Sequence, residues 1–271
     1  MSRTARARLD QLLVDRGLAE TRSRAQSLVL AGRVRVGAGD SGRSGLKPGD
    51  LVAVDAPVAV EPGLRFVSRG GEKLAGALAA FGVGPAGQVC LDAGASTGGF
   101  TDCLLQRGAV RVHAVDVGRG QLAAALRQDG RVVVHDRLNA RALVAGLLGE
   151  TVDLAVVDLS FISLALVLGP IASCVREGGL IVALVKPQFE AGRGHAPRGV
   201  VRDPAVHRAV LERLAAVAGE LGLHPRDVAA SPLRGPAGNR EFFLLVGVGE
   251  AAGHGAGAPG RLSARIAEVT G

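Results

Sequence analysis

The sequence predicts an α/β protein in which a small N-terminal α+β domain precedes a Rossmann-like sheet that is mostly parallel. After residue 70, apolar runs typical of buried strands alternate with amphipathic helical patterns. That order is expected of a parallel sheet with helices on both faces. The first 60 residues contain shorter elements, and their first 35 hold eight Arg against three acidic residues. The change in pattern and in charge predicts two domains.

The N-terminal domain is predicted over residues 1–60, followed by a linker over 61–67 that contains Glu-Pro-Gly. Apolar residues at helical spacing and short apolar or alternating runs define its elements. The predicted elements are helices over 8–17 and 21–32 and strands over 33–36 and 51–54, the two strands joined by a Gly/Ser-rich turn.

The larger domain is predicted over residues 68–250, and 251–271 are expected to form a flexible tail with a short helix. Its predicted helices cover 71–81, 98–107 and 204–222, and its strands cover 88–92, 110–115, 131–134, 152–157, 180–185 and 241–248. The uncharged stretch 159–175 is shorter than the roughly 20 residues that cross a bilayer, and it contains Gly and Pro. We therefore expect a helix packed on the sheet there and no membrane span.

The basic charge at the N-terminus predicts a surface that binds a polyanion such as RNA; a solvated basic face without a partner is the alternative. With seven Phe and no Trp or Tyr, base stacking on aromatic side chains is not expected, so RNA contacts should run through Arg. The candidate contacts are Arg3, Arg6, Arg22, Arg24, Arg33 and Arg35. Three dispersed Cys fit neither a zinc site nor a disulfide framework, so we expect no metal and a cytoplasmic location.

Lysine is scarce in this chain, with three Lys among 32 basic residues. Arg cannot lose its proton in a protein, whereas Lys can when it is buried. Lys186 directly follows the apolar run 180–185, and Lys73 lies early in a predicted helix. We therefore predict chemical roles for these two residues. Lys47 lies in a Gly/Ser-rich turn and is expected to be an ordinary surface residue.

A Gly-rich loop follows the predicted strand 88–92 and opens a helix, and such loops present backbone N–H groups to a ligand. The G-x-G-x-x-G spacing of dinucleotide sites is absent. Asp92 instead ends the strand, which suits the cationic ligand S-adenosylmethionine better than NAD or a purely structural loop. Asp116 suits the ribose hydroxyls of that ligand, and Asp136 its adenine amino group. The candidate contacts are Asp92, Gly94, Ser96, Thr97, Gly98, Gly99, Phe100, Asp116, Val117, Asp136 and Asp158.

Four charged residues are predicted to meet at one edge of the sheet. Asp158 and Lys186 follow parallel strands, whose C-terminal ends share a rim where ligands bind. Glu241 reaches the same rim if the last strand is antiparallel, and Lys73 lies beside it. We expect Lys186 to act as the base, or as the charge that steadies a forming oxyanion, in alkylation of a ribose hydroxyl. Lys73 and Glu241 would orient that hydroxyl, and Asp158 would hold Lys186 and the donor; an ion-pair network without chemistry is the alternative.

Five stretches of the chain, in this order, carry a resemblance to a known family. They are 68–74 (SRGGEKL), 91–101 (LDAGASTGGFT), 158–163 (DLSFIS), 186–190 (KPQFE) and 238–242 (GNREF). With them the chain resembles the TlyA-type ribosomal RNA 2'-O-methyltransferases, also called hemolysins, whose catalytic domain is FtsJ-like. Residues 1–60 resemble the alpha-L RNA-binding module named after ribosomal small-subunit protein four.

The resemblance implies a class I methyltransferase sheet whose last strand is antiparallel, with S-adenosylmethionine as the methyl donor. It places the family's catalytic lysine–aspartate–lysine–glutamate tetrad on Lys73, Asp158, Lys186 and Glu241. It also implies methylation of a cytidine ribose in 23S ribosomal RNA, and in some members in 16S ribosomal RNA as well. Leu138 departs from the family, which usually has Thr there, at the adenine side of the cofactor site.

Three other functions compete with this interpretation. A membrane-active hemolysin would need a segment that spans the bilayer, which the interrupted stretch 159–175 does not supply. A ribosome-binding or RNA-binding protein without catalysis would not need the intact tetrad and Gly-rich loop. A pseudouridine-forming enzyme with the same N-terminal module would have no use for a loop that binds a sulfonium.

Overall fold

The structure is a computed structural model, which describes residues 5–30, 32–37, 45–60, 65–192, 199–249 and 260–271. The chain divides into two units, Met1–Leu64 and Arg65–Gly271. Arg3, residues 61–64 of the predicted linker and residues 250–259 of the predicted larger domain and tail lie outside the described residues.

The first unit combines two packed helices with two short antiparallel strand pairs. Its elements are β1 (Arg6–Arg8), α1 (Leu9–Asp15), α2 (Arg22–Leu30), β2 (Val34–Val36), β3 (Leu51–Ala53) and β4 (Val58–Val60). Both predicted helices and both predicted strands are present, whereas β1 and β4 were not predicted. The predicted strands also do not pair with each other, because β3 pairs with β1 and β2 pairs with β4. Leu9, Leu13 and Ala25 are fully buried in the core of this unit.

The second unit contains the long alternating pattern of strands and helices. Its helices are α3 (Gly70–Phe81), α4 (Gly99–Gln106), α5 (Ala124–Arg127), α6 (Leu168–Ala172), α7 (Pro187–Glu190), α8 (Pro204–Glu220) and α9 (Arg261–Thr270). Its strands are β5 (Val89–Ala93), β6 (Arg111–Asp116), β7 (Val132–Asp136), β8 (Val152–Val157), β9 (Val175–Val185), β10 (His224–Ala230) and β11 (Phe242–Gly247). The predicted strands and long helices of this region are all present, with ends shifted by a few residues.

Seven strands of this unit form one sheet in the order β10-β11-β9-β8-β5-β6-β7. The strands from β5 to β9 are parallel to their neighbours among themselves, and β11 is antiparallel to both β9 and β10. The predicted mostly parallel sheet with an antiparallel last strand is therefore confirmed. The edge strand β10 was not predicted, because its sequence begins with His-Pro-Arg-Asp and lacks an apolar run.

The sheet separates two hydrophobic clusters, one on each face. Neighbouring residues of a strand alternate between them, so that Leu91 lies in the first cluster and Cys90 in the second. Leu211 of α8 packs in the first cluster, and Leu74 of α3 packs in the second. Because both faces are covered, the central strands contain long apolar runs, as the sequence predicted.

The stretch 159–175 does not form the expected single helix. Only a 3-10 turn, Leu164–Leu166, and the five-residue α6 are helical. Phe161 has a φ of 64°, a left-handed value that no α-helix continues through. Ser163 then starts the turn by accepting a hydrogen bond from the Ala165 amide. No helix within the described ranges is long and apolar enough to cross a membrane.

The last helix, α9, was expected within a flexible tail but is docked on the second unit. It packs against β10 and α8, and Ile266 is buried in the first hydrophobic cluster. The Arg240 guanidinium also donates a hydrogen bond of 2.9 Å to the Val269 carbonyl. Residues 261–270 are thus an integral part of the fold.

Candidate active site

Strand order brings Lys186 to Asp158 and Glu241. In the antiparallel pair of β9 and β11, Val185 faces Phe242, so the next residues outward, Lys186 and Glu241, leave the sheet at the same edge. Asp158 follows β8, the parallel neighbour of β9 on the other side. The Lys186 Nζ lies 2.6 Å from the Asp158 Oδ1, and it donates a hydrogen bond of 2.8 Å to the Ser160 hydroxyl. This is the clustering that the sequence predicted for these side chains.

The other two tetrad residues form a second ion pair. The Lys73 Nζ donates a hydrogen bond of 2.5 Å to the Glu241 Oε2. Lys73 projects from the first turn of α3, which begins close to Phe66 because Gly71 has no side chain to collide with that ring. The predicted tetrad is therefore arranged as two lysine–carboxylate pairs.

The two ion pairs differ in their access to solvent. The side chains of Lys73 and Glu241 are 9% and 1% exposed, whereas those of Lys186 and Asp158 are 12% and 24% exposed. The Lys186–Asp158 pair is therefore the more accessible of the two, chiefly through Asp158.

A buried carboxylate, Glu190, holds the segments that carry Lys186 and Asp158. It accepts hydrogen bonds of 2.7 Å from both the Ser163 hydroxyl and the Leu164 amide, and it forms an ion pair of 2.6 Å with Arg213. Glu190 ends α7, the helix that directly follows Lys186. The loop after Asp158 and the helix after Lys186 are therefore tied to the same side chain.

Asp92, the candidate anchor of a cationic ligand, is fully buried at the end of β5. Its Oδ2 accepts a hydrogen bond of 2.7 Å from the Thr101 hydroxyl, and its Oδ1 has no hydrogen-bond partner among the described residues. Burial raises the pKa of Asp92 to about 7; the charges of Asp158 and Asp116 add to this, and the Thr101 hydrogen bond opposes it. A cation placed against Oδ1 would satisfy both the orphan oxygen and the buried charge.

The loop after Asp92 is built for close approach of its backbone to neighbouring groups. Gly94 and Gly98 have φ values of 92° and 96°, a region that glycine adopts without strain. A Cβ on Gly94 would collide with the Asp158 carbonyl, and one on Gly98 would collide with the Leu126 side chain. Ser96 also has a left-handed φ, 48°. Only glycine fits at the first two positions, which explains the Gly-rich sequence.

The carboxylates at the ends of β6 and β7 are neighbours in register, as the predicted site requires. Asp116 accepts backbone hydrogen bonds of 2.9 Å from Ser96 and 2.7 Å from Gly118, so it braces the loop after Asp92. Asp136 is paired with Arg127, and the Arg127 hydrogen bond holds the pKa of Asp136 below its usual value. A carboxylate engaged by a guanidinium is a weak candidate for an adenine contact.

The remaining cofactor candidates have different environments. Phe100 is buried and its ring lies 6.2 Å from that of Phe243, so it packs in the core. Val117 is exposed beside Asp116. Thr97 accepts a hydrogen bond from the Ala123 amide through its carbonyl, which ties the loop to the start of α5. Gly99 packs against the hydroxyl of Ser68, so a side chain at this position would collide with it.

Sequence reasoning missed one exposed aromatic residue at this edge of the sheet. Phe161 is 88% exposed, although the scarcity of aromatic residues argued against a stacking platform. Its ring lies 4.9 Å from the ring of Phe189, which follows Lys186 by three residues. A bulky residue with a φ of 64° is rare. The signal in the sequence was a Phe three residues after Asp158, between Ser160 and Ile162.

The predicted RNA contacts that the structure describes lie in the first unit. Arg6 and Arg24 are exposed, and Arg33 and Arg35 are half-buried. The Nε of Arg22 lies 3.0 Å from the fully buried Asp10, so this Arg also has a structural partner. Arg8, which was not predicted as a contact, forms a two-point hydrogen bond with the same carboxylate. These contacts hold the pKa of Asp10 well below its usual value, chiefly through the Arg8 hydrogen bond.

Comparison with known proteins places the chain in a family. Residues 66–248 match the model of the FtsJ-like methyltransferases, and residues 7–37 match the S4 domain. A 16S/23S rRNA (cytidine-2'-O)-methyltransferase TlyA of Mycobacterium tuberculosis is 51% identical over 242 residues, 88% of this chain and 89% of that protein. A 23S rRNA (cytidine-2'-O)-methyltransferase TlyA of Campylobacter jejuni is 34% identical, over 66% of this chain and 69% of that protein.

A solved structure from Streptococcus thermophilus, described as a hemolysin, is also similar to this chain. It is 38% identical, has a TM-score of 0.73, and covers 98% of this chain and 96% of its own. The sheet order, the Gly-rich loop after β5 and the charged groups at the strand ends define a class I methyltransferase. Within that class, the chain belongs to the FtsJ-like methyltransferases of the TlyA type.

Breaking the buried ion pair should destabilise the second unit. Glu241→Ala would leave the Lys73 ammonium buried without a counter-charge, so we expect the free energy of unfolding to fall by about 3–5 kcal/mol. The double variant Lys73→Met with Glu241→Leu removes both charges, so it should recover most of that loss. Urea unfolding of the full chain measures both, with Lys47→Met as a surface-lysine control. A Glu241→Ala protein as stable as the parent would contradict the structural role of the pair.

Proposed function

We propose that this chain transfers a methyl group from S-adenosylmethionine to the 2'-hydroxyl of a cytidine in ribosomal RNA. The observation that carries the proposal is the Lys186–Asp158 ion pair, which lies at the sheet edge beside the Gly-rich loop. The names of the relatives in Mycobacterium tuberculosis and Campylobacter jejuni support the choice of substrate. Both names include 23S rRNA, and the first also includes 16S rRNA.

The residues of the loop fit the donor. S-adenosylmethionine, when bound, supplies an electrophilic methyl group on a sulfonium. Asp92 would hold the ammonium, because its Oδ1 is an orphan acceptor. Asp116 would accept from the ribose hydroxyls, since a carboxylate retains acceptor capacity beyond two backbone hydrogen bonds. We assign the loop backbone from Gly94 to Gly99 to the same site, and we no longer assign Phe100, which packs in the core.

The tetrad would act on the ribose hydroxyl of the RNA. As the C–O bond to the methyl group forms and the C–S bond breaks, the hydroxyl loses its proton. Lys186 would either accept that proton or hold a positive charge against the oxygen while the proton leaves. Asp158 would orient Lys186. The Lys73–Glu241 pair would hold the more buried part of the site rigid.

Binding of RNA would use both units. We propose that the arginines of the first unit, including Arg6, Arg24 and the Asp10-bound Arg22, contact phosphates, which is the usual role of exposed Arg on a basic domain. The ring of Phe161 would stack on a base at the active site, because it is exposed and lies on the segment between Asp158 and Ser163.

The function itself is tested by incubating the purified full chain with labelled S-adenosylmethionine and separated ribosomal subunits. We expect label in RNA of the large subunit at a cytidine whose backbone then resists alkaline cleavage, because a 2'-O-methyl group blocks attack on the adjacent phosphate. Label confined to a base, or no label in either subunit, would refute the proposal.

Two substitutions at Lys186 separate its possible roles. Lys186→Met removes charge and proton transfer, and Lys186→Arg keeps only the charge. If Lys186 is the base, both variants should lose methylation by about 10²–10⁴-fold. Lys47→Met should retain full activity. In all three variants the Kd for S-adenosylmethionine, measured by calorimetry, should stay within about twofold of the parent value. Full activity of Lys186→Arg would refute the base role but not the charge role.

The pKa of Asp92 predicts how binding of the donor depends on pH. A cation prefers the ionised carboxylate, and a pKa of about 7 means that ionisation is gained as pH rises from 6 to 7.5. Affinity for S-adenosylmethionine should therefore rise roughly eightfold over this range, in step with the ionised fraction of Asp92. Calorimetry on Asp92→Asn should give a flat profile. Asp136→Asn is the matched control and should keep the rise; an unchanged profile in Asp92→Asn would contradict the assignment.

The stacking role of Phe161 has its own test. Removing the ring in Phe161→Ala should raise the KM for ribosomal RNA about tenfold, since stacking on one base is worth about 1–3 kcal/mol. Phe161→Tyr keeps the ring and should behave like the parent. Steady-state methylation at saturating donor gives these values. A KM unchanged in the Ala variant would exclude stacking at this position.

A further inference from the structure

A second concave site lies beside the active site. It is a cavity of about 430 Å³ lined by the segment 200–202, by the turn that precedes Glu241 and by His207 of α8. Three of its lining residues are Arg202, Arg234 and Arg240. No acidic residue is among the described residues that line it. The tetrad residues do not line this cavity, and the proposed function so far gives it no role.

The wall of the cavity is continuous with the tetrad. The turn that carries Glu241 also supplies Arg234 and Arg240, and the Ser231 amide donates a hydrogen bond of 2.9 Å to the Glu241 carbonyl. Gly235 of this turn lies directly against the Glu241 carboxylate, because a Cβ there would collide with it. A group held in the cavity is therefore a near neighbour of a group held by the tetrad.

A buried amide makes this wall rigid. Asn239 is 2% exposed, and its side chain joins the two lining segments. The Asn239 Oδ1 accepts a hydrogen bond from the Val201 amide, and its Nδ2 donates one to the Gly199 carbonyl, each at 2.9 Å. Because both ends of the amide are engaged, the two segments keep a fixed spacing.

No carboxylate among the residues that the structure describes forms an ion pair with the arginines of the cavity. Arg202 is exposed and forms no hydrogen bond or ion pair with a described residue. The Arg234 guanidinium donates to the Gly238 carbonyl at 3.2 Å and has further donors free of described partners. Arg240 donates to the carbonyls at the end of α9. Uncompensated guanidinium groups in a concave site favour an anion, and they match phosphate geometry well.

His207 adds an unsatisfied acceptor to the same wall. It is 1% exposed, and its Nε2 lies 3.1 Å from the Val201 carbonyl. A carbonyl only accepts, so Nε2 carries the proton and Nδ1 is an acceptor, and Nδ1 has no partner among the residues described. Burial lowers the pKa of His207 and Arg240 adds to this, whereas the Val201 hydrogen bond and the charge of Asp203 oppose it. The guanidinium donors of the cavity fit a phosphate group.

We infer that this cavity binds a phosphate of the RNA strand next to the nucleotide presented to Lys186, with Arg202 and Arg234 as the contacts. The inference rests on the proposed function, because it takes the substrate to be RNA. It adds a backbone subsite that fixes the strand relative to Glu241. Phosphate contacts position a strand without reading its sequence, so the subsite would set register and not base preference.

The test compares two double variants of equal charge in the full chain. Arg202→Ala with Arg234→Ala removes the proposed contacts, whereas Arg208→Ala with Arg261→Ala removes two exposed Arg that lie outside the cavity. For the first variant we expect the KM for ribosomal RNA to rise about tenfold or more, since two charge-assisted hydrogen-bonding groups are lost. The kcat at saturating RNA and the Kd for S-adenosylmethionine should stay within about twofold.

The dependence of RNA binding on salt gives a second readout that a general loss of stability would not move. The log–log slope should fall by about 0.7 in the cavity variant, the change expected for one lost phosphate contact on a single strand. A slope equal to that of the control variant, or a change in Kd for the donor, would overturn the inference. If the parent chain binds RNA but does not methylate it, the proposed function fails while the slope comparison still decides on the cavity.

Discussion

The antiparallel pairing of β11 with β9 is the constraint on which the active site depends. Phe242 faces Val185 across this pair, so Glu241 and Lys186 leave the sheet at one edge. A parallel strand in the same place would deliver its first residue to the opposite edge. The Glu241 carboxylate could then not reach Lys73, which projects from α3. The direction of one strand therefore assembles a tetrad whose members are far apart in the chain.

The two ion pairs of the tetrad differ in burial. Burying the Lys73–Glu241 pair costs desolvation energy, which an apolar pair would not, so its presence is better explained by geometry than by stability. The Lys186–Asp158 pair is more exposed. Glu190 supports it by joining the segments that follow these two residues. The site is thus fixed by buried carboxylates and remains accessible through one lysine and one aspartate.

Much of the fold and the tetrad could be predicted because their signals are strong. Apolar runs alternating with amphipathic helices indicated the sheet. The scarcity of lysine marked Lys73 and Lys186, and Lys186 also follows such a run. Three-residue strands such as β1 and polar edge strands such as β10 leave no periodic signal, so they were missed. Phe100 fitted the Gly-rich motif but packs in the core, since sequence spacing does not say which way a side chain faces. The stretch 159–175 lost its predicted helix to one left-handed residue.

That left-handed residue, Phe161, has a consequence for protein engineering. Holding a bulky side chain at a φ of 64° costs about 1–2 kcal/mol, and the exposed ring recovers little of this by burial. Glycine would relax the backbone at this position, so a search for thermostable variants would select it and discard the ring. At this surface residue, a gain in thermal stability would therefore remove the ring that we propose to stack on RNA.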